Sequence, residues 1–465
     1  MFTVRVIPIA KGVFRDYLSF FSRAPVEAGA IVSVTVRGRP ISGIVIESND
    51  VRDEKMDLRG AGFSLQKIGK TQPKRIFTYP FIAAAKETAV WHGVSESTVL
   101  AALTSKVILS ASAKLSPAPR IETLTDIKAD FLLLQAERGE RVRTYRNLAR
   151  ESFARNESTL IVAPTVIEAE MLTEELSRGI EGRVIVITGE ISGKKLVSAW
   201  NEIAESETPL LVIGTPLSLS VPLRSLGTIV VERESARAYR ALSRPHLDFR
   251  IAAQSLSRTT GARLILADFP LRVETRYQID AGLADELARS QVRPTSSVIP
   301  KILDVRKKDA WKGEKRLFSA LSPETMKSIE RELARGGRVA VFAARRGLAP
   351  LTVCNDCGTP VTDPTTGTPM ILHKTPNGTM FMSHRSGATL PSETSCKVCR
   401  GWNLVTLGIG VDRVNDELEK AFPKTDISLF TRDSAPTHRS AKKYQNHFTD
   451  NQLQSSLEQN ECFPT

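Results

Sequence analysis

The sequence predicts an α/β multidomain fold with a small β-rich N-terminal module, a doubly wound parallel-sheet lobe, a cysteine-bearing insertion and an incomplete second lobe. Three observations predict this fold class. Apolar and polar residues alternate before residue 50, as in half-buried strands. Short apolar runs alternate with helical stretches from about residue 127, which is typical of a parallel sheet covered on both faces. Two Cys-x-x-Cys pairs interrupt a second such pattern after residue 350.

The N-terminal module is expected over residues 1–106. Its strands are predicted at Phe2–Ile9, Ala30–Val36 and Pro40–Ser48, and the last two are joined by a turn that contains Gly38. Phe81–Ser105 has helical periodicity. Residues 107–126 are expected to be a linker, because much of this stretch is rich in Ser, Ala and Pro.

The doubly wound lobe is expected over residues 127–310. Helical stretches such as Val166–Arg178 and Leu196–Glu205 separate most of its apolar runs, which is the order of a parallel α/β sheet. The predicted strands are Phe131–Leu134, Leu160–Ala163, Val184–Thr188, Leu210–Ile213, Thr228–Val231 and Leu264–Ala267.

The second lobe is expected to begin in residues 311–350 and to continue in 404–431. A helix at Pro323–Arg335 and a strand at Val339–Phe342 open it. It has too few predicted strands to bury both faces of a sheet. Residues 432–465 are polar and lack periodicity, which predicts a disordered tail.

The insertion, residues 351–403, is predicted to be a zinc ribbon. Cys354 and Cys357 form one Cys-x-x-Cys pair, and Cys396 and Cys399 form the other. Four thiolates delivered from two such turns satisfy tetrahedral Zn²⁺. The alternative is four unligated thiols on loops.

The composition predicts a polyanionic partner and a cytoplasmic location. The 465 residues are 41% hydrophobic, with no apolar run near the length that spans a bilayer, so no membrane partner is expected. The first residues lack the basic start and long apolar stretch of a signal peptide. A net charge of +13 favours a nucleic acid, because neutralised phosphates release counterions. A basic chain without a nucleic-acid ligand is the alternative.

Several stretches, in the same order along the chain, resemble the PriA family of replication-restart proteins, which are superfamily 2 DNA helicases. They are Arg15-Asp16-Tyr17-Leu18 with Ala28-Gly29 and Gly38, Thr159–Thr165, Leu226–Val231 with Tyr239, and Phe342–Pro350 followed by the first cysteine pair. The resemblance covers about residues 1–432 and implies that the first lobe is helicase-like. It also implies a nucleoid-associated protein that binds DNA and acts with primosome and replication proteins.

The chain departs from this family at the position of the phosphate loop. Such a loop needs glycines whose N–H groups approach the nucleotide, a lysine on the phosphates and a Ser/Thr for Mg²⁺. This chain instead has Gln135, Arg138, Glu140, Arg141 and Val142. Arginine is a poor replacement for the compact lysine ammonium, and Glu140 brings a carboxylate to the triphosphate position.

Two further motifs are altered in the same lobe. Where the resemblance implies an Asp-Glu-x-His box, the chain has Glu232, Arg233, Glu234 and Ser235. Arg233 cannot act as a base or a metal ligand. Leu266–Pro270 replaces the later Ser-Ala-Thr motif. We therefore expect no ATP hydrolysis, no catalytic residues and little ATP binding.

The resemblance implies two zinc ions, one held by the outer and one by the inner cysteine pairs. The inner segment of this chain has no cysteines between His373 and Gly387. One zinc site is therefore expected to remain and the second to be lost. His373 and His384 are expected to face solvent, because two histidines alone cannot close a zinc site.

The resemblance also implies a pocket in the N-terminal module for the 3′ end of a nascent strand at a fork. Asp16 would accept a hydrogen bond from the sugar hydroxyl, Tyr17 would support the pocket, Gly38 would allow close backbone approach and Lys67 would meet phosphate. The alternative is an ordinary turn at a strand end with a packed tyrosine.

Three functions remain open from the sequence. The favoured one is a DNA-binding replication-restart protein that recognises stalled or abandoned forks and promotes primosome assembly without ATPase or helicase activity. The second is an ATP-dependent 3′-5′ DNA helicase with an unrecognised phosphate site. The third is a truncated product without an assembly role. The first two differ in whether ATP changes the affinity for DNA.

Overall fold

A computed structural model describes most of the chain, in two compact units, Met1–Thr295 and Ser296–Thr465. The described residues are 1–9, 17–36, 38–52, 66–68, 73–121, 129–291, 293, 299–304, 320–343, 351–375, 378–408, 410–431, 434–435, 440–444 and 454–458. Among the helices in these ranges, none has the length and apolar character needed to cross a bilayer.

The first unit opens with a mixed five-stranded sheet. Its strands are β1 (Phe2–Pro8), β2 (Leu18–Ser22), β3 (Ile31–Val36), β4 (Arg39–Asp50) and β5 (Gln66–Lys67), in the order β3-β4-β1-β2-β5. Val4, Val6, Val32 and Val34 alternate along their strands and form a small apolar core on one face. The predicted turn joins β3 to β4, and Gly38 has φ +77° there, a conformation that favours glycine. The β-rich module is thus confirmed.

Three helices follow the small sheet and pack on the next domain. They are α1 (Tyr79–His92), α2 (Glu96–Leu103) and α3 (Lys106–Ser110). The described part of the expected linker differs from a linker, because it contains the end of α3 and because Leu115 and Ala118 are buried. Apolar burial therefore joins this stretch to the large lobe.

The large lobe contains a parallel seven-stranded sheet, as the alternating pattern predicts. Its strands are β6 (Phe131–Gln135), β7 (Ser158–Val162), β8 (Val184–Ile187), β9 (Leu211–Gly214), β10 (Leu226–Glu232), β11 (Arg263–Asp268) and β12 (Asp285–Glu286). Their order is β12-β6-β11-β10-β7-β9-β8. The helices are α4 (Arg138–Ala154), α5 (Val166–Leu176), α6 (Gly193–Glu205), α7 (Phe249–Thr260) and α8 (Val273–Asp280).

Both faces of this sheet are covered. Along β10, Val230 points into a core that includes apolar residues of α4 and α5. Its neighbours Ile229 and Val231 point into the opposite core, which includes residues of α1, α2, α6 and α7. This alternation explains why the strands read as continuous apolar runs, and it confirms the doubly wound fold.

The second unit contains a small parallel sheet of β13 (Val339–Phe342), β19 (Asp426–Phe430) and β20 (Gln454–Glu458), in the order β13-β20-β19. Two helices, α9 (Pro323–Ala334) and α10 (Val411–Ala421), cover one face with Ile329, Val414 and Leu418. Residue 340 and Phe342 are exposed, so the described part of this sheet has apolar cover on one face, as expected for an incomplete lobe.

The expected disordered tail differs in part from the structure. Residues 454–458 form the central strand β20, and residues 440–444 are helical. Polar strands give little periodic signal, so the sequence pattern missed the backbone pairing with β13 and β19. The other residues of 432–465 lie mostly outside the described part of the chain.

Two small antiparallel sheets form the insertion. One pairs β14 (Leu351–Cys354) with β18 (Leu404–Leu407). The other contains β15 (Ile371–Thr375), β16 (Gly378–Met382) and β17 (Thr389–Pro391). The sheets bring the two cysteine pairs, which are distant in sequence, to the same end of β14 and β18.

Candidate functional site

The loop between β6 and α4 lies where the resemblance implies a phosphate loop. Parallel strands place such loops at their carboxyl edge, and a helix that starts there offers free N–H groups to anions. Here the connection is only Ala136 and Glu137. The N–H of Ala136 donates to the Asp268 carbonyl (3.1 Å), and the N–H of Glu137 donates to Oε1 of Gln291 (3.0 Å). Both N–H groups are therefore bound within the protein.

Arg141 fills the space behind this loop. Its Nε and Nη2 donate to the two carboxylate oxygens of Glu232, at 3.0 and 2.7 Å, and its Nη1 donates to the Ala136 carbonyl at 2.8 Å. The side chains of Arg141 and Glu232 are 5% and 0% exposed. A buried carboxylate and a buried guanidinium at this position form a closed ion pair, with the two-bond geometry that Arg and carboxylate favour.

Tyr145, one turn further along α4, completes the ion pair. Its hydroxyl donates to Oε2 of Glu232 at 2.5 Å. Burial, followed by the charge of Glu232, raises the pKa of Tyr145 well above its ordinary value, so the phenol stays protonated and donates. Glu232 thus receives three hydrogen bonds from α4 and lies inside the core.

The remaining acidic-box residues are also bound within the first unit. Arg233, with φ +48°, donates from Nη1 to Oε1 of Glu168 at 2.7 Å. The two carboxylate oxygens of Glu234 accept from the N–H and the Nε of Arg272, each at 2.7 Å. The N–H of Ser235 donates to Oδ2 of Asp268 at 2.8 Å.

Gln291, which follows β12, also binds groups at the carboxyl edge of the sheet. Its N–H donates to the Gln135 carbonyl at 2.9 Å, and its side chain hydrogen-bonds Glu140. Arg138 pairs instead with Glu175 at 2.7 Å, and Val142 lies in the apolar core. The structure therefore brings together the predicted residues Gln135, Glu140, Arg141 and Glu232. Sequence reasoning missed Tyr145, Arg272 and Gln291, because their contacts are long-range and follow no motif.

The four predicted zinc ligands form a compact cluster. The Sγ atoms of Cys354, Cys357, Cys396 and Cys399 all lie within 4.8 Å of one another, which is close enough for one metal ion. The Thr359 hydroxyl hydrogen-bonds Sγ of Cys357 (3.2 Å), and this contact, with the N–H of Thr359, lowers the pKa of that thiol to about 6. The cysteines fit a tetrahedral divalent ion that prefers sulfur.

The two histidines of the insertion differ from the expectation in one respect. His384 is exposed, but the His373 side chain is only 11% exposed. Their Nε2 atoms lie 2.8 Å apart, and Nδ1 of His373 lies 4.0 Å from the Asp412 carboxylate. His373 is therefore enclosed by His384 and α10.

The predicted DNA contacts are described in part. Asp16 lies outside the described residues. Tyr17 is 46% exposed, and the guanidinium of Arg5 lies 5.3 Å from its ring centre. The strand register puts Tyr17 and Gly38 toward the same end of the small sheet, where β1 ends. Lys67 is exposed on the edge strand β5 opposite Phe21, nearer the other end, so the sheet does not bring it beside them.

The architecture defines a class. The chain has an α/β multidomain fold with a doubly wound parallel lobe, a second α/β unit and a four-cysteine insertion that can hold a metal ion. No family model matches the chain.

The chain is PriA-like. It is 22% identical to the replication restart protein PriA of Bacillus subtilis over 66% of this chain and 38% of that protein. It is 22% identical to the PriA of Helicobacter pylori strain 26695 over 93% of this chain and 67% of that protein. The relative from Rickettsia prowazekii is 28% identical over 49% of this chain. The chain spans about two fifths of the length of the Bacillus and Haemophilus relatives.

Solved helicases also have similarity to the chain. RecG bound to a three-way DNA junction has a TM-score of 0.38 and 10% identity, covering 82% of this chain and 41% of that one. The NS3-like helicase from Alongshan virus has a TM-score of 0.34 and 11% identity, covering 71% of this chain and 58% of that one.

Proposed function

We propose that this chain is a DNA-binding replication-restart protein that recognises stalled or abandoned forks and promotes primosome assembly without hydrolysing ATP. The similarity to PriA proteins supports the restart role. The buried ion pair of Arg141 and Glu232 carries the part of the proposal that concerns ATP.

The ion pair opposes nucleotide binding in two ways. A triphosphate needs free N–H donors and a cation, but the N–H groups of Ala136 and Glu137 and the guanidinium of Arg141 already have acceptors within the protein. The carboxylates of Glu137 and Glu140 also stand at the start of α4, where phosphate charge would lie. Binding ATP here would expose a buried carboxylate and place like charges together.

Hydrolysis would also need a free carboxylate to hold Mg²⁺ or to orient water. Glu232 is bound by Arg141 and Tyr145, and Glu234 is bound by Arg272. Each carboxylate is fully buried. This arrangement supports a lobe that serves as a scaffold and as a basic surface for DNA.

Fork recognition is proposed for the N-terminal module. Tyr17 is exposed beside Arg5, and Gly38 lies on a tight turn at the same end of the small sheet. An exposed aromatic ring suits stacking of a base of single-stranded DNA. Asp16 precedes Tyr17 in the chain and is the proposed acceptor for the 3′-hydroxyl.

The test is fluorescence anisotropy on a fork whose leading strand ends at the junction with a free or a blocked 3′-hydroxyl. We expect tighter binding to the free end, no effect of ATP–Mg²⁺, and loss of the preference in Asp16→Asn. Asp50→Asn, at the end of β4, is the matched control and keeps it. Equal weak binding to both forks would reduce the module to general electrostatic attraction. A clear ATP effect would favour the alternative, an ATP-dependent 3′-5′ helicase.

The metal is proposed to be zinc, held by Cys354, Cys357, Cys396 and Cys399. When bound, zinc would hold the two turns of the insertion together without taking part in a reaction. Titration with Co²⁺ should give the intense absorption of a four-thiolate site. Cys396→Ser should lose it, and Cys462→Ser, outside both pairs, should keep it. An unchanged spectrum in Cys396→Ser would exclude this ligand set.

A further inference from the structure

The described residues of the insertion form four turns of the same construction, and two of these turns carry cysteines. We call them knuckle turns. In each, the N–H of the first residue donates to the carbonyl five residues later, and the N–H of the fifth residue donates back to the first carbonyl. The turns begin at Cys354, Asp363, Ser383 and Cys396, with distances of 2.8, 2.9, 2.8 and 2.8 Å for the first bond and 2.8, 2.9, 2.8 and 3.0 Å for the second.

The backbone conformation and the burial repeat as well. The fifth residue of each turn has positive φ: Gly358 (+75°), Gly367 (+67°), Gly387 (+77°) and Arg400 (+63°). The first residue of each turn is buried and the fourth is exposed. In the cysteine turns, these first and fourth positions are the proposed metal ligands. The equivalent positions in the other two turns are Asp363, Thr366, Ser383 and Ser386.

The sequence contains a trace of this repetition. Cys354-Asn-Asp-Cys-Gly-Thr-Pro-Val361 and Asp363-Pro-Thr-Thr-Gly-Thr-Pro-Met370 share Gly-Thr-Pro at the same places. The side-chain contact between fourth and sixth residues also recurs. Sγ of Cys357 lies 3.2 Å from the Thr359 hydroxyl, and the hydroxyls of Thr366 and Thr368 lie 2.8 Å apart.

The four turns form two pairs that differ in their side chains: the turns at Cys354 and Cys396 carry thiols, and the turns at Asp363 and Ser383 carry a carboxylate and hydroxyls. In the cysteine pair, Sγ of Cys354 lies 3.4 Å from Sγ of Cys399, and the two turns meet where one metal ion fits. In the other pair, the carboxylate of Asp363 accepts hydrogen bonds from both turns. Its Oδ2 accepts from the hydroxyls of Thr366, at 2.8 Å, and Ser386, and its Oδ1 accepts from the N–H of Thr365 at 2.8 Å.

These donors satisfy Asp363 without an ion. Hydrogen bonds from Ser383 and Ser386, followed by the N–H of Thr365, hold the pKa of Asp363 well below its ordinary value, so it remains a carboxylate. One carboxylate and three hydroxyls are a poor ligand set for zinc, which prefers sulfur and nitrogen. The hydrogen-bonded carboxylate of Asp363 thus links the turns at Asp363 and Ser383, as the proposed metal would link the two cysteine turns.

We infer that the turns at Asp363 and Ser383 have the framework of a second metal site, in which a hydrogen-bonded carboxylate stands in place of the ion. This insertion then takes one divalent metal per chain and accepts a second when thiolates are introduced at positions 363, 366, 383 and 386. The stoichiometry of the native chain rests on the proposed zinc site. The framework itself rests on the four equivalent turns and on the contacts of Asp363.

The test counts metal in the full chain by elemental analysis and Co²⁺ absorption. The variant Asp363→Cys/Thr366→Cys/Ser383→Cys/Ser386→Cys should hold one zinc more than the native chain, two instead of one. The control Asp363→Cys/Thr366→Cys should gain none, because two ligands do not close a site. No gain in the four-cysteine variant, or two zinc ions in the native chain, would overturn the inference. If the native chain held no zinc and the four-cysteine variant held one zinc ion, only the proposed site at Cys354, Cys357, Cys396 and Cys399 would be refuted.

A second measurement does not depend on the four-cysteine variant folding. Asp363→Ala should keep the native metal content. The hydrogen-exchange protection factors of the N–H groups in 363–375 and 378–388 should fall at least tenfold, which corresponds to a local loss of about 1.4 kcal/mol. Thr365→Ala is the matched control, because only its backbone N–H contacts Asp363. Unchanged protection in Asp363→Ala, or a loss of metal, would contradict the inference.

Discussion

At the scale of the residue, the decisive feature is the buried carboxylate of Glu232. It accepts two hydrogen bonds from Arg141 and one from Tyr145, and it has no exposed surface. A buried ion pair gains little over an apolar pair of the same volume, but breaking it leaves an uncompensated charge. Arg141 is therefore coupled to Glu232 far more strongly than a surface arginine is to its partner.

This coupling predicts the effect of removing the cation. Arg141→Met should lower the free energy of unfolding by about 3–5 kcal/mol, and Arg141→Met/Glu232→Leu should recover most of the loss. Arg138→Met, which breaks the half-exposed pair with Glu175, should cost no more than about 1 kcal/mol. The measurement is urea unfolding of the full chain. Equal costs for Arg141→Met and Arg138→Met would show that the pair does not stabilise the lobe.

Glu168 gives a prediction about pH. Burial raises the pKa of Glu168, while the charge and hydrogen bond of Arg233 lower it. Arg233→Met should raise it further, so the folded variant would hold a proton at pH values where the unfolded chain has lost it. Stability should then fall as the pH rises above the ordinary glutamate value of about 4.3 and should level off above the raised pKa.

The control for this prediction is Arg233→Met/Glu168→Gln, which has no carboxylate to titrate at this position. Urea midpoints of the two variants, measured between pH 4 and pH 8, should diverge as the pH rises. Parallel profiles would mean that Glu168 stays ionised without Arg233.

At the scale of the element, helix α1 belongs to the large lobe as much as to the small sheet. Phe81 is buried in the core that includes Trp200 and residues of α7, and Thr259 of α7 donates its hydroxyl to the Pro80 carbonyl at 2.9 Å. The sequence pattern identified the helix from its period. It gave no indication that α1 packs on α7, because an apolar helix face can pack on any other apolar surface.

The packing of α1 is tested by truncating Phe81. Phe81→Ala should cost about 3–5 kcal/mol and should lower hydrogen-exchange protection in β7 and β10 as well as in α1. Val90→Ala, on the exposed side of the same helix, should cost less than about 0.5 kcal/mol. A loss of protection confined to α1 would indicate that the helix packs as a separate module.

At the scale of the whole molecule, charge and ion pairing have different consequences. The net charge of +13 produces a long-range attraction for a polyanion, whatever the details of the fold. The ion pairs at the edge of the seven-stranded sheet are local and occupy the groups that a nucleotide would need. The proposed DNA binding and the proposed loss of nucleotide binding are therefore compatible in one chain.

The salt dependence of fork binding follows from the net charge. Raising the salt from 50 to 200 mM should weaken binding about 10²-fold, the effect expected for about four phosphate contacts. The ratio of affinities for the free and blocked 3′-hydroxyl should stay constant, because a hydrogen bond to a sugar hydroxyl releases no counterion. Anisotropy titrations at four salt concentrations measure both quantities. Salt-independent binding would contradict a phosphate-based interaction.

The sequence by itself determined the fold class, the strands of the doubly wound lobe and the two Cys-x-x-Cys pairs of the insertion, because these depend on local period and spacing. It also predicted that Gln135, Arg141 and Glu232 are departures from a nucleotide site. It did not reveal β20, whose polar residues have no apolar period, or the knuckle turns at Asp363 and Ser383, which depend on backbone bonds.

The tertiary structure decided what those departures do. Arg141 and Glu232 are 91 positions apart in the chain and meet only because β6 and β10 end at the same edge of one parallel sheet. Gln291 reaches that edge from beyond β12, and Asp363 meets Ser386 only across two folded turns. Contacts between distant residues are fixed by burial and chain topology, and these act on the folded chain rather than on any local segment of the sequence.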